Sequence, residues 1–173
     1  MNNDLLNDIG VLALRVSLAY VYLHGALMIF GSRKRRIRTA ERSLVLVANT
    51  RLGCNAHIGR ALMIVAMFFM IAGGIGVFTG IWTRLAAGLL ILFTLPGIII
   101  HVRELQQSIQ LVDDISYHEG SELNDKLTAL RWLCYAGHRS SANKNYTLIG
   151  VAVFLILAND PNGRFSLSAL FEF

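Results

Sequence analysis

The sequence predicts an all-α membrane protein: a four-transmembrane-helix bundle with short amphipathic interfacial helices in its cytoplasmic loops. Three observations carry that expectation. Apolar residues make up 54% of the 173-residue chain and charged residues only 16%, against roughly 25% charged in ordinary soluble domains. The apolar residues gather in runs long enough to cross a ~30 Å hydrocarbon core at ~1.5 Å per residue. The net charge of +5 is concentrated, with seven basic residues and one acidic residue between Ser32 and Ile58. A basic excess in one loop of a membrane protein reports topology before it reports nucleic acid, and no nucleic-acid partner is expected. The length fits a single domain over residues 1–173.

Residues 1–10 are polar and acidic and read as a short surface segment without the features of a signal peptide. The first span covers about residues 11–30, VLALRVSLAYVYLHGALMIF. Arg15 lies a turn inside it, where a long side chain can reach the headgroups, and His24 lies deeper. GSRKRRIR follows and marks the cytoplasmic side. It also suits anionic lipid headgroups. LVLVA (residues 44–48) is too short to span and is expected at the interface.

The second span covers about residues 58–79. Ala72, Gly76 and Gly80 recur every four residues, so they share one helical face that lets another helix approach closely. The short Gly80–Arg84 turn forces the third span, residues 84–101, to run antiparallel to the second, with Trp82 at the interface. Pro96-Gly97 near its end predicts a kink. Val102, Leu105, Ile109 and Val112 then form an apolar stripe at helical spacing, so an amphipathic helix continues or follows the third span. LTALRWLCYA (127–136) reads as a second short amphipathic piece and GHRSSANKN (137–145) as a loop. The last span, about residues 142–159, is the shortest and needs a start near Ala142 or a thinner membrane. Four spans with a cytoplasmic basic loop place both termini outside the cytoplasm.

Three stretches resemble the DoxX/DoxD family of small four-span membrane proteins. The first span has LRVSLAYVYLHGALMIFG, the hairpin has GGIGVFTGIWTRLAAGLL with its Gly-x-x-Thr-Arg turn, and the end has Asn145 opening the last span with GRFSL after it. The resemblance implies a four-helix membrane bundle in a bacterial or archaeal plasma membrane. It also implies work inside larger redox assemblies, among them terminal quinol oxidases and thiosulfate:quinone oxidoreductase. One departure matters. Members often carry an acid in the second span before the paired glycines, whereas Ala66–Ile71 is AMFFMI.

Candidate chemistry is sparse. His24 is the deepest titratable group and a possible quinone or polar intramembrane site, set against an interhelical hydrogen bond that orders the bundle. A haem held between His24 and His101 is not expected, because His101 sits at a helix end. Arg15, Arg84 and Arg164 share the outer side and form a possible anion or partner contact, set against snorkelling or pairing with Asp4, Asp8 or Asp160. Cys54 and Cys134 lie in predicted cytoplasmic loops, where thiols stay reduced. No HxxH, CxxC, nucleophile elbow or phosphate-binding glycine loop is present, so no catalytic or metal-ligating residue is assigned and no cofactor beyond a possible quinone is expected. The expected function is an accessory or structural subunit of a respiratory or other redox membrane complex, with larger subunits and membrane lipids as partners. The alternative is a quinone-reactive subunit of a thiosulfate:quinone oxidoreductase-like enzyme. A small transporter or lipid-associated scaffold ranks last, because few intramembrane polar residues could line a path.

Overall fold

The computed structural model describes residues 3–47, 55–116, 121–158 and 160–171. The described residues are helical, with no strand among them. The elements are α1 (Asn3–Phe30), α2 (Arg33–Ser43) with a 3₁₀ turn (Leu44–Val47), α3 (Ala56–Thr79), α4 (Thr83–Ser116), α5 (Ser121–Leu157) and the short α6 (Leu167–Phe171). Cys54 and Asn159 lie outside the described residues.

Four long helices lie side by side, and α4 packs most extensively against α5 and then α3. Three of them, within Asp4–Phe30, Ala56–Thr79 and Thr83–Ile115, are long and apolar enough to cross a membrane. The fourth, α5, is long enough but apolar only towards its end, from Tyr146 to Leu157, after a stretch carrying Arg131, Arg139 and Lys144. The chain is therefore a multi-pass membrane protein with three spans of this kind, and α5 accompanies them along the bundle.

The core lies where α1, α3, α4 and α5 meet. Leu18, Tyr22, Met70, Val77, Ala86, Leu90 and Leu155 form it. The closest approach is made by glycines on α3. A Cβ on Gly73 would sit 2.6 Å from Leu90 Cδ2 and 2.9 Å from the Ala86 carbonyl oxygen. A Cβ on Gly76 would sit 2.6 Å from Ala86 Cβ, and one on Gly74 would meet Leu23 of α1 at 2.8 Å. The contact line on α4 thus runs through Gly73 and Gly76, with Ala72 half-buried beside it, whereas Gly80 faces Arg15 and Ser166. At Gly80 the backbone turns left-handed, with φ 76°, and Trp82 follows at φ 50°. These two residues reverse the chain into α4 and leave Trp82 exposed at 75%.

Residues 4–10 are exposed at the surface except Asp8, as the first turns of α1 rather than as a separate segment. Two local expectations are corrected. GHRSSANKN is helix, and LTALRWLCYA is one part of a single 37-residue helix rather than a separate piece. The last helix therefore begins at Ser121, well before Ala142. The reason is pairing. Residues 102–116 prolong α4, which packs extensively against α5, with Leu105 and Ile109 half-buried and Val112 and, on α5, Leu127 buried. Arg131 and Asp113 bridge the same two helices at 3.0 Å. A helix with a partner along its length has no need to break and lie along a membrane surface. At ~1.5 Å per residue, α4 is about 50 Å long, so some 20 Å projects beyond a ~30 Å hydrocarbon core. The basic stretch after the first span forms α2, and the Leu44–Val47 turn ends it. Pro96 lies within α4 without ending it.

The glycine contacts predict a graded series. Gly73→Val and Gly76→Val, which push into backbone or a tight Ala contact, should each destabilise the protein by about 1–3 kcal/mol through overpacking. Gly88→Ala and Gly150→Ala, where a Cβ meets nothing within 4 Å, should be neutral or stabilise by up to ~1 kcal/mol by lowering the helix cost of glycine. Thermal unfolding in detergent, followed by circular dichroism, checks the order.

Candidate functional site

The polar groups separate into two clusters at opposite ends of the bundle. One end gathers Arg15, Arg84 and Arg164 around the segment that follows α5. Arg15 is the centre of it. Its side chain is fully buried, at 0% exposure. Nε donates to the Val77 carbonyl at 2.8 Å and Nη2 to the Phe78 carbonyl at 2.9 Å, both in the last turn of α3. Nη1 donates to the carbonyls of Asn162 at 2.5 Å and Phe165 at 3.3 Å. The last carbonyls of a helix have no partner inside it, and a cation there also meets the negative end of the helix dipole. Guanidinium carries five N–H donors in a planar fork, so Arg15 engages four main-chain acceptors from two elements at once.

Arg84 and Arg164 have different partners. Arg84 Nη2 donates to the Ala158 carbonyl at 3.0 Å. Arg164 Nε lies 3.0 Å from Asp8 Oδ2, outside hydrogen-bond alignment, since that oxygen has no hydrogen-bond partner. The pair holds residues 8 and 164 at the same end of the bundle. Ser168 donates to the Gly80 carbonyl at 2.9 Å, and Ser166 lies where a Gly80 Cβ would go. The three arginines therefore share an end, as the sequence places them, but Arg15 turns into the protein instead of towards headgroups. An open cavity lined by Trp82, Arg84, Asp160 and Asn162 lies beside them.

His24 does not enter the bundle. It is exposed on the outer face of α1, with its ring stacked on Tyr20 at 5.5 Å between centroids and 15° between planes. The interior polar link in this part of the bundle is one that sequence reading missed. Tyr22 OH and Thr94 Oγ1 are 2.5 Å apart, Thr94 donates to the Leu90 carbonyl at 2.6 Å, and Tyr22 packs edge-on against Phe93. Neither residue is ionised in the ordinary range, so a search for titratable groups passes over them.

The second cluster lies at the basic end, between α2, α4 and α5. Arg42 of α2 donates from Nε and Nη2 to the two carboxylate oxygens of Glu104, at 2.6 and 2.5 Å. Its Nη2 is 3.5 Å from His101 Nδ1. His138 of α5 brings Nδ1 to 3.6 Å from Glu104 Oε2, and His101 Nδ1 lies 3.9 Å from the same oxygen. All four groups are partly buried. Sequence reading named only His101 among them, because His138 lies on a different helix, 34 residues after Glu104 in the sequence. The single legible sign was the i, i+3 spacing of His101 and Glu104. Next to this cluster is a cavity of about 280 Å³. Its apolar walls include Phe69, Phe93 and Pro96, and Thr39, Arg42, Ser43 and His101 supply its polar lining. His24 does not line it.

Such an arrangement defines a multi-pass α-helical membrane protein with an arginine locked to main-chain carbonyls at one end and a side-chain polar cluster at the other, each beside a cavity. The chain belongs to the DoxX family, whose model matches residues 10–103, that is α1 from Gly10 through the first two-thirds of α4. No curated protein and no solved structure matches it. Membership fits a membrane redox-associated protein.

The geometry of Arg15 predicts that charge alone cannot replace it. Arg15→Met, which leaves four buried or half-buried acceptors without a donor, should destabilise the protein by about 3 kcal/mol or more. Arg15→Lys should recover little of this, since an ammonium has three donors and no fork. Unfolding midpoints in detergent for the two variants measure the difference.

Proposed function

We propose that this chain is an accessory or structural subunit of a respiratory or other membrane redox complex, docked to a larger subunit through the outer face of α1. The observation that carries this reading is the Tyr20–His24 stack. Tyr20 is 65% exposed, and both rings point away from the bundle within the apolar length of α1. A polar ring on a lipid-facing surface is costly, and histidines within spans ordinarily face a protein interior or a cavity. A neighbouring helix offering a hydrogen-bond partner satisfies that requirement. The inward-turned arginine adds support, because its donors hold the main chain together and leave little for a substrate. On this reading the basic α2 end faces the cytoplasm and anionic headgroups, and the Arg15 end faces outward in a bacterial or archaeal plasma membrane. A photo-crosslinking residue in place of Tyr20 should then trap a partner polypeptide in native membranes. His24→Leu should leave the unfolding midpoint unchanged while reducing copurification of that partner several-fold. Cross-links to lipid only would defeat the reading.

One observation favours a second reading, a quinone-reactive subunit of the thiosulfate:quinone oxidoreductase type. The 280 Å³ cavity has the chemistry a quinone needs, with aromatic and aliphatic walls and N–H donors from Arg42 and His101. This moves the quinone from His24 to His101. The anion side of the reading rests on Arg84 and Arg164, since Arg15 has one donor left. His101 is about 25 Å along α4 from Arg84 at ~1.5 Å per residue, so the two sites lie at opposite ends. Filling the cavity with Ala66→Trp should abolish labelling by a photoreactive quinone analogue. Undiminished labelling of a folded Ala66→Trp protein would place the quinone elsewhere.

A further inference from the structure

We propose that His101, Glu104 and His138 form a binding site for a divalent transition-metal ion of the zinc class, and that Arg42 competes with the metal for Glu104. The three ligand atoms, His101 Nδ1, a Glu104 carboxylate oxygen and His138 Nδ1, all lie within 4.8 Å of one another. Two of the separations are 3.9 and 3.6 Å, both to Glu104 Oε2. Tetrahedral zinc with bonds of ~2.0–2.1 Å places its ligands about 3.3–3.4 Å apart, so side-chain rotations that draw the two imidazoles and the carboxylate closer by roughly an ångström or less would bring these atoms into place. Two imidazoles and one carboxylate are a donor set that zinc accepts in three-ligand sites, with the fourth position left to water or a further ligand.

The backbone supports the site. His101 and Glu104 are one turn apart on the same face of α4, and α5 presents His138 opposite them. The position is reachable from water, since a shallow cavity of about 470 Å³ opens beside Arg42, Gln107 and His138. Arg42 already shows that the spot favours a cation, because its guanidinium bonds both oxygens of Glu104 and touches His101. A metal taking Glu104 Oε2 must displace Arg42 Nη2 from that oxygen, while Nε can keep Oε1. Binding would therefore exchange one cation for another, and it would loosen the pin that ties α2 to α4. Glu104 and His138 both lie beyond residues 10–103, the part that matches the family. The site does not depend on the redox-subunit reading above.

The test uses the full chain purified in detergent, with Zn²⁺ and Co²⁺ as the probes. Titration calorimetry should give one Zn²⁺ per chain, and Co²⁺ should give the intense visible absorption of a four-coordinate site. His101→Ala and His138→Ala should each weaken Zn²⁺ binding by at least the ~10–100-fold that loss of even an outer partner costs a metal site. Arg42→Gln should do the reverse and tighten binding about tenfold, because the competitor is gone. A merely structural ion-pair cluster would not give that opposite sign. As a check that needs no variant, Zn²⁺ should protect His101 and His138 of the wild-type protein from diethylpyrocarbonate, read by mass spectrometry, and leave His57 reactive. Absence of Zn²⁺ binding to both the wild-type and Arg42→Gln proteins would overturn the proposal. So would equal affinity in the histidine variants, or equal modification of His101 with and without Zn²⁺.

Discussion

The structure depends on how one buried guanidinium is satisfied. Arg15 sits on α1, yet its partners are the last turn of α3 and the segment after α5. A buried cation is tolerated only where its hydrogen-bonding capacity is met, and a helix end buried without partners for its carbonyls is equally unfavourable. Each problem is the other's solution here. The consequence is topological: α1 must run antiparallel to α3, the chain must return to the same end after α5, and Gly80 must have no side chain, because its Cβ would collide with Arg15 and Ser166.

That last requirement links the arginine to the glycines. Gly80 supplies the left-handed turn between α3 and α4, the space for the guanidinium, and a carbonyl for Ser168. Gly73 and Gly76 then bring α4 against α3 closely enough for Ala86 and Leu90 to fill the seam. Without a hydrophobic driving force between helices in lipid, this close packing and the few interior hydrogen bonds hold the spans together. The Tyr22–Thr94 bond is the second such link, made between neutral groups.

The all-helical, multi-pass membrane class was legible because its signals are local, although three described helices, where four spans were expected, are apolar enough to cross a membrane. Apolar runs, a short hairpin turn and a basic loop are each read within 20 or so residues. Of the expected Ala72, Gly76 and Gly80 face, Gly76 meets Ala86 of α4, Gly73 takes the close contact expected of Ala72, and Gly80 instead makes room for Arg15 and Ser166. The stretch 137–145 was misread as a loop because its helix is stabilised from outside: Ser, Asn, Gly and His are weak helix formers alone, and pairing with α4 overrides them. The sites were illegible in proportion to their sequence separation. Nothing local distinguishes an arginine that snorkels from one that turns inward to carbonyls 62 and 147 residues away, and no motif search joins Arg42, Glu104 and His138.

Arg15 and the Arg42 cluster differ in the kind of bond that holds them. The acceptors of Arg15 are main-chain carbonyls, fixed by the elements that carry them, and its side chain is fully buried, whereas Arg164 and Asp8 at the same end pair side chain to side chain. Exchange of partners around Arg15 requires α3 and the closing segment to move together. At the other end every participant is a side chain, partly exposed, on one of three separate helices. Arg42 can leave Glu104 by rotating its own side-chain torsions, and the histidines can reorient without disturbing α4 or α5. A metal or quinone bound as proposed would therefore exchange its partners more easily in the Arg42 cluster than around Arg15, whose main-chain contacts stay fixed.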